Sequence, residues 1–253
     1  MKRIIPKLFV FVVMAAMAML LVACGGDEGD RPTLIMATSA DFPPFEFINE
    51  ETNEYDGFDI HMARALAEIL DMDLRIDNMI FDGVILAVAT GLADVGIAAI
   101  SINEERLESV NFTIPYFQTT QVVIVQNASP ITHHDQLENA RIAVQMGTTS
   151  DLVAEWYLPE SVEIFRFNMA PDVVLELNTG RVDAIVIDHA VANEFLSEHP
   201  QLRILEQYLT VEEYAIAVNQ NDTELLNKLN DAIEQWLASP DFTRIYNMFF
   251  GGQ

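Results

Sequence analysis

"VILAVATGLADVGI" (residues 84–97) and "VVLELNTGRVDAIV" (173–186) read alike. At an offset of 89 residues, Val84 matches Val173, Leu86 matches Leu175, Thr90-Gly91 matches Thr179-Gly180 and Asp94 matches Asp183. Apolar positions fill most of the remainder. Each unit reads as a helix, a glycine C-cap and a short buried strand. Two ordinary helix-turn-strand units can share such a pattern by chance. The better account is a chain of two lobes built on one α/β plan.

The segments around the echo alternate in the same way. "TLIMATS" (33–39) and "RIAVQ" (141–145) read as buried strands, and "GFDIHMARALAEIL" (57–70) as an amphipathic helix. "SDLVAEWYL" (150–158) reads as a helix after a Gly-Thr-Thr loop. "TVEEYAIAVNQ" (210–220) reads as one returning strand, and "TELLNKLNDAIEQWLA" (223–238) as a helix. Alternation of this kind predicts mostly parallel sheets, with ligand crevices at the C-terminal strand ends.

Three such ends carry polar chemistry. Ser101 and Arg106 follow the first unit of the echo, Gly147-Thr148-Thr149 follows "RIAVQ", and Asp188 follows the second unit. The echo sets Asp188 opposite Ala99. Asn103, Glu104 and Glu105 read as a helix cap with an acidic first turn, yet Arg106 lies in that same turn, where a cation opposes the helix dipole. Its planar fork suits a carboxylate, and the helix N–H groups and threonine hydroxyls reinforce an anion site. Asp188 offers a carboxylate to a cation. Anion and cation sites facing each other suit the carboxylate and ammonium of a free amino acid. Blander roles exist for each residue. Arg106 can pair with Glu104, Glu105 or Glu108 on a wet surface, Asp188 can cap the helix "HAVANEFLSEH", and Thr148 and Thr149 can be turn residues. Phe42, Phe45, Phe81 and Tyr116 can all be core aromatics.

The ends and the composition narrow the setting. Lys2, Arg3 and Lys7 precede an uncharged, largely apolar stretch from Leu8 to Ala23, the pattern of a secretory signal over residues 1–23. "LVAC" followed by Gly25-Gly26 resembles a bacterial lipobox, which predicts lipidation of Cys24, the only cysteine. Residues 24–32 would then be the lipid anchor and a flexible tether. Without residues 1–23, 10 Lys and Arg face 39 Asp and Glu, a formal charge of −29. Such a chain lacks the clustered cations that nucleic acid requires. The histidines at 61, 133, 134, 189 and 199 form no i, i+4 pair, and His133 and His134 are expected to point apart, so no metal site is expected.

Taken together, the motifs carry a family likeness. The chain resembles the bacterial extracellular solute-binding proteins, family 3, that serve amino-acid ABC importers, over essentially all of residues 33–250. "ATSADFPPFEF" looks like the family's first strand and aromatic loop. "GFDIHMARALAEIL" is similar to its signature helix, departing at His61, where an acid is usual. "ISINEERLESVNFTIPYF", "GTTSD", "GRVDAIVID" and the tail "DFTRIYNMFFGG" resemble its other motifs.

This resemblance implies an α/β, two-lobed, periplasmic-binding-protein-like fold (type II) whose lobes are joined by a two-strand hinge. Lobe 1 would hold 31–119 plus 212–253 and lobe 2 would hold 120–211, with hinge crossings near Gln118–Gln121 and Thr210–Glu213. It implies Arg106, Ser101, Thr148 and Thr149 on a ligand carboxylate, Asp188 and the Ala99 carbonyl on its ammonium, and Phe42 and Phe81 packed on it. The expected protein is a lipid-anchored, monomeric amino-acid binder on the extracytoplasmic face, periplasmic or cell-surface, partnered by ABC permease subunits and needing no cofactor. The alternatives are a ligand-sensing module, normally fused to a further domain, and a dehydratase of cyclic carboxylates. The enzyme would need a tuned acid or base, for which Glu46 and Asp188 are the candidates. Ser39 stands where relatives with basic ligands often carry an acid, and Asp41 is expected to face away. The reading therefore leans to a polar, uncharged amino acid.

Overall fold

The structure, a computed structural model, describes residues 31–251. The signal segment, Cys24 and most of the tether lie outside the described residues. Two five-stranded sheets form the frame. The first, in the order β5-β1-β6-β13-β7, comprises β1 (Thr33–Thr38), β5 (Asp73–Asn78), β6 (Val95–Gly96), β7 (Val110–Phe112) and β13 (Ala217–Asn219). The second, in the order β10-β9-β11-β8-β12, comprises β8 (Phe117–Gln126), β9 (Arg141–Gln145), β10 (Glu163–Phe167), β11 (Ala184–Asp188) and β12 (Leu202–Tyr214). A small three-stranded sheet, of β2 (Asp41–Phe42), β3 (Glu46–Ile48) and β4 (Tyr55–Asp56), carries the aromatic loop.

The echo has a structural cause. The helices Val84–Ala89 and Ala170–Asn178 (α2 and α5) both end in a glycine with left-handed φ, Gly91 at +74° and Gly180 at +71°. The two echoed aspartates do one job. Asp94 Oδ2 accepts from the Ile35 N–H at 2.8 Å, and Asp183 Oδ2 accepts from the Arg141 N–H at 2.8 Å. Each pins the start of the central parallel strand of its own sheet, β1 or β9. A short side chain at a strand edge, satisfying a backbone donor, explains why both units carry aspartate there.

Helices cover both faces of each sheet, so inner strands such as β9 and β11 are buried almost throughout, while the edge strands β5, β10 and β12 mix apolar and charged residues. In the first sheet, Val95 and Val218 join the layer of Phe58, Ile60 and Leu66 from α1 (Phe58–Ile69), with Leu229, Ile233 and Trp236 from α7 (Thr223–Leu237). Val84, Val88 and Ala217 form the opposite layer. In the second, Val123, Val125, Ile142 and Val144 meet Val153 and Ala154 of α4 (Thr149–Tyr157), while Ile185 and Ile187 meet Val173, Val174 and Leu177 of α5. The C-terminal helix α8 (Pro240–Phe250) closes on Phe45, Phe58 and Phe117 through Phe250.

Two expectations change. The sheets are mixed rather than mostly parallel, because β8, β12 and β13 run back against their neighbours: β11–β8, β12–β8, β13–β6 and β13–β7 are antiparallel. The returning segment 210–220 is not one strand, since β12 ends at Tyr214 and β13 starts at Ala217 in the other sheet. Hence β8 and β12 each pass from one sheet region to the other and pair along the way, Gln121 with Thr210 and Gln118 with Glu213.

Candidate functional site

Between the two sheets lies a small, narrow cavity lined by Asp41, Phe42, Glu46, Phe81, Ala99, Arg106, Gln145, Thr148, Thr149 and Asp188. Seven of the eight residues expected to meet a ligand share this lining. Ser101 sits just beneath it.

The helix that carries Arg106 is short, Glu104–Leu107 (α3), and Asn103 caps it by accepting from the Arg106 N–H at 2.8 Å. The guanidinium is not spent on the neighbouring glutamates. Only 8% exposed, it donates to the Ser101 carbonyl at 2.7 Å and the Gly147 carbonyl at 3.1 Å, and lies over the Phe81 ring at 5.3 Å. Burial lowers its pKa to about 10, with the Glu212 and Asp188 charges opposing that shift, so it stays cationic at neutral pH. The surface-pair account of Arg106 is thereby excluded. Gly147 comes so close to Asp82 that an added Cβ would meet Oδ1 at 2.6 Å, and its φ of +76° also favours glycine.

Asp188 stands at the N-cap position of the helix His189–Glu198 (α6) but makes no side-chain cap bond. Its carboxylate instead accepts from the Tyr214 hydroxyl at 2.5 Å and is 4% exposed. Burial and the nearby Glu212 charge push it up to about 7. Ala99 holds a left-handed φ of +46°, uncommon for a residue with a Cβ, and its N–H donates to the buried Asp59 at 2.8 Å. Phe42 and Phe81 form apolar walls, whereas Phe45 packs in the core and Tyr116 donates to Asp59 at 2.8 Å.

The hydroxyl assignments shift. Thr148 Oγ1 donates to the Gln145 carbonyl at 2.8 Å, while Ser101 Oγ and Thr149 Oγ1 donate to Glu212 Oε2 at 2.5 and 2.6 Å. The anion chemistry left at this edge is the first turn of α4, which has no side-chain cap. Glu212, on the β12 crossing, was not singled out from the sequence. It sits in a run of acidic and apolar residues that reads as an ordinary exposed strand, and apart from Thr210 its partners are more than 60 residues away.

Asp41 does not face away. It lines the cavity, where Oδ1 accepts from Ser39 Oγ at 2.9 Å and Oδ2 from Gln145 Nε2 at 3.1 Å and the Ala170 N–H at 2.9 Å. Glu46 is wholly buried, with no donor on either oxygen. It lies against Asp59, whose Oδ1 is also without a donor, so only a shared proton can join the two carboxyls. Burial, then the charges of Asp59 and Asp41, push Glu46 well above the usual carboxylate range, and burial raises Asp59 to about 6.

Away from the cavity, His133 and His134 do not diverge. His133 caps a short turn beginning at His134, which stacks the rings at 4.3 Å between centroids. The His133 Nδ1 is occupied by the Asp135 N–H.

Residues 34–252 match the model of the bacterial extracellular solute-binding proteins, family 3. The chain belongs to this family. A probable histidine-binding protein of Neisseria gonorrhoeae is 30% identical, over 98% of this chain and 98% of its own. The structure of an ancestral arginine-binding protein bound to arginine is 35% identical and superposes with a TM-score of 0.83, covering 88% of this chain and all of that one. An ancestral amino acid-binding protein, described as a precursor of cyclohexadienyl dehydratase, is 32% identical with a TM-score of 0.80, covering 86% of this chain and 95% of its own. The fold is thus the two-lobed one of amino-acid-binding proteins. Among the described residues, no helix is long and apolar enough to cross a membrane.

Proposed function

We propose that this family member binds a free amino acid between its lobes and delivers it to the permease subunits of an ABC importer. The observation that carries the reading is one buried cation, Arg106, and one buried carboxylate, Asp188, lining the same small cavity. The ligand carboxylate takes Arg106 and the N–H groups opening α4. Its ammonium takes Asp188 and the Ala99 backbone, and Phe42 and Phe81 cover its apolar part. Ser101 acts through Arg106 and Glu212 rather than by direct contact. The named relatives agree on an amino acid and differ on its side chain.

Lobe 1 is residues 31–119 plus 212–253, lobe 2 is 120–211, and the paired crossings of β8 and β12 form the hinge. The protein works as a monomer, held on the extracytoplasmic face of the membrane by a lipid on Cys24 once residues 1–23 are removed. It binds without turnover. Glu46 shares its proton with Asp59 and Asp188 is held by Tyr214, which leaves neither positioned as a free acid or base.

A thermal-shift screen of the twenty amino acids, followed by titration calorimetry of those that raise Tm, tests the reading. At least one α-amino acid should bind at a single site, and its α-methyl ester should not. Failure of all twenty to bind would overturn it.

A further inference from the structure

The charges around the cavity do not close for a neutral side chain. Three acids line it, Asp41, Glu46 and Asp188, against one base, Arg106, and Asp59 lies behind Glu46. On the reading proposed above, on which this inference rests, the ligand carboxylate uses Arg106 and the ammonium uses Asp188. Asp41 needs nothing more, because Ser39, Gln145 and the Ala170 N–H supply it with three donors. Glu46 has none, although it is fully buried.

Buried polar groups are almost always hydrogen-bonded, and an orphan in a cavity wall calls for a partner from outside the protein. A proton shared with Asp59 serves one oxygen of each carboxyl, and the second Glu46 oxygen still lacks a donor. The Asp59 Oδ2 is no alternative, since it is filled by the Ala99 N–H and the Tyr116 hydroxyl.

We infer that Glu46 selects the side chain, and that the site takes an amino acid with a cationic side chain, a guanidinium or a primary ammonium, in preference to neutral ones. Facing such a cation the Glu46 carboxyl ionises and its proton passes to bulk water. The charged groups that then face Glu46 are Asp59 on α1, Asp41 on β2 and Asp188 at the end of β11, all negative or proton-sharing. No cation of the protein is among them. A ligand cation is therefore the one counter-charge this corner can receive. The sequence-based lean to a neutral ligand rested on Ser39, and Ser39 Oγ is engaged with Asp41.

Citrulline matches arginine in length and shape and lacks the charge, so it isolates this effect. Calorimetry on the wild-type chain with L-arginine, L-lysine, L-citrulline and L-glutamine is the first arm. At least one of the two cations should bind roughly 30-fold or more tighter than both neutral ligands, as expected for a desolvated charge pair. In Glu46→Gln, a near-isosteric change, that cation should lose about the same factor, while the neutral ligands change by no more than a few-fold. Citrulline or glutamine binding as tightly as the cations would overturn the inference and leave the amino-acid site standing. Failure of every amino acid would instead overturn the reading beneath it. The wild-type arm decides even if the variant does not fold.

Discussion

Replacing Arg106 by alanine separates two contributions that its surroundings keep distinct. In stability, the change deletes charge-assisted bonds to the Ser101 and Gly147 carbonyls. Each is worth about 1.5–3 kcal/mol in such settings. Taking the cation out of water costs several kcal/mol, however, and removing it relieves that cost. The net loss should be about 1–3 kcal/mol. In binding nothing offsets the change, since the ligand carboxylate is left with the α4 amides alone. Losing one partner of a desolvated pair costs roughly 2–5 kcal/mol, about 30- to several-thousand-fold in affinity. Urea unfolding measures the first quantity and titration calorimetry the second. Arg106→Lys keeps the charge, loses the two-carbonyl fork, and should recover only part of the binding. An Arg106→Ala protein that binds its amino acid as tightly as wild type would refute the assignment of the site.

Further outcomes follow from the same geometry. Asp59 at about 6 and Asp188 at about 7 hold extra protons relative to their usual 3.8, so their contribution to stability is full at low pH and is lost as pH rises through 6 to 7. Tm of the protein without added ligand should therefore be higher at pH 5.5 than at pH 8, and the opposite order in a melting series would contradict the shifts. Affinity should move the other way, falling by up to about tenfold per pH unit below 7, because Asp188 must shed its proton to accept an ammonium. Phe81→Ala removes a wall of the cavity and the ring under Arg106, and calorimetry should show a loss of roughly 1–3 kcal/mol; an unchanged affinity would make Phe81 a core residue only. Glu212→Gln takes the charge from the acceptor shared by Ser101, Thr149 and Gln121. It should lower unfolding stability by about 1–2 kcal/mol, and an unmoved urea midpoint would show that the clasp is worth nothing.

The parts of this molecule written in contiguous residues were readable, and the parts made by folding were not. Hydrophobic periodicity and glycine stops placed α1, α4, α7, β1 and β9 within a residue or two. The repeated Thr-Gly and Asp pair announced the two sheets before any geometry was known. Arg106 stood out because it broke a local rule, and it proves to be buried. Strand direction was misread, since a run of apolar residues looks the same in a parallel and an antiparallel ladder. Glu212, Asp41 and the Glu46–Asp59 pair owe their roles to partners 13 to 129 residues distant. No spacing in the sequence signals such contacts. The histidine doublet was misjudged because a residue in extended backbone followed by a turn obeys neither helical nor strand periodicity.

Asp41 has one more consequence. Its carboxylate, on the small sheet, takes the N–H of Ala170, the first residue of α5, on the far side of the cavity. That amide has its acceptor only while the two sides are together. If the lobes part about the proposed hinge, the Ala170 amide then faces water, where it can trade its proton for deuterium. The deuterium uptake of this single amide would report the opening equilibrium, and a ligand that holds the lobes shut should slow it as the site fills.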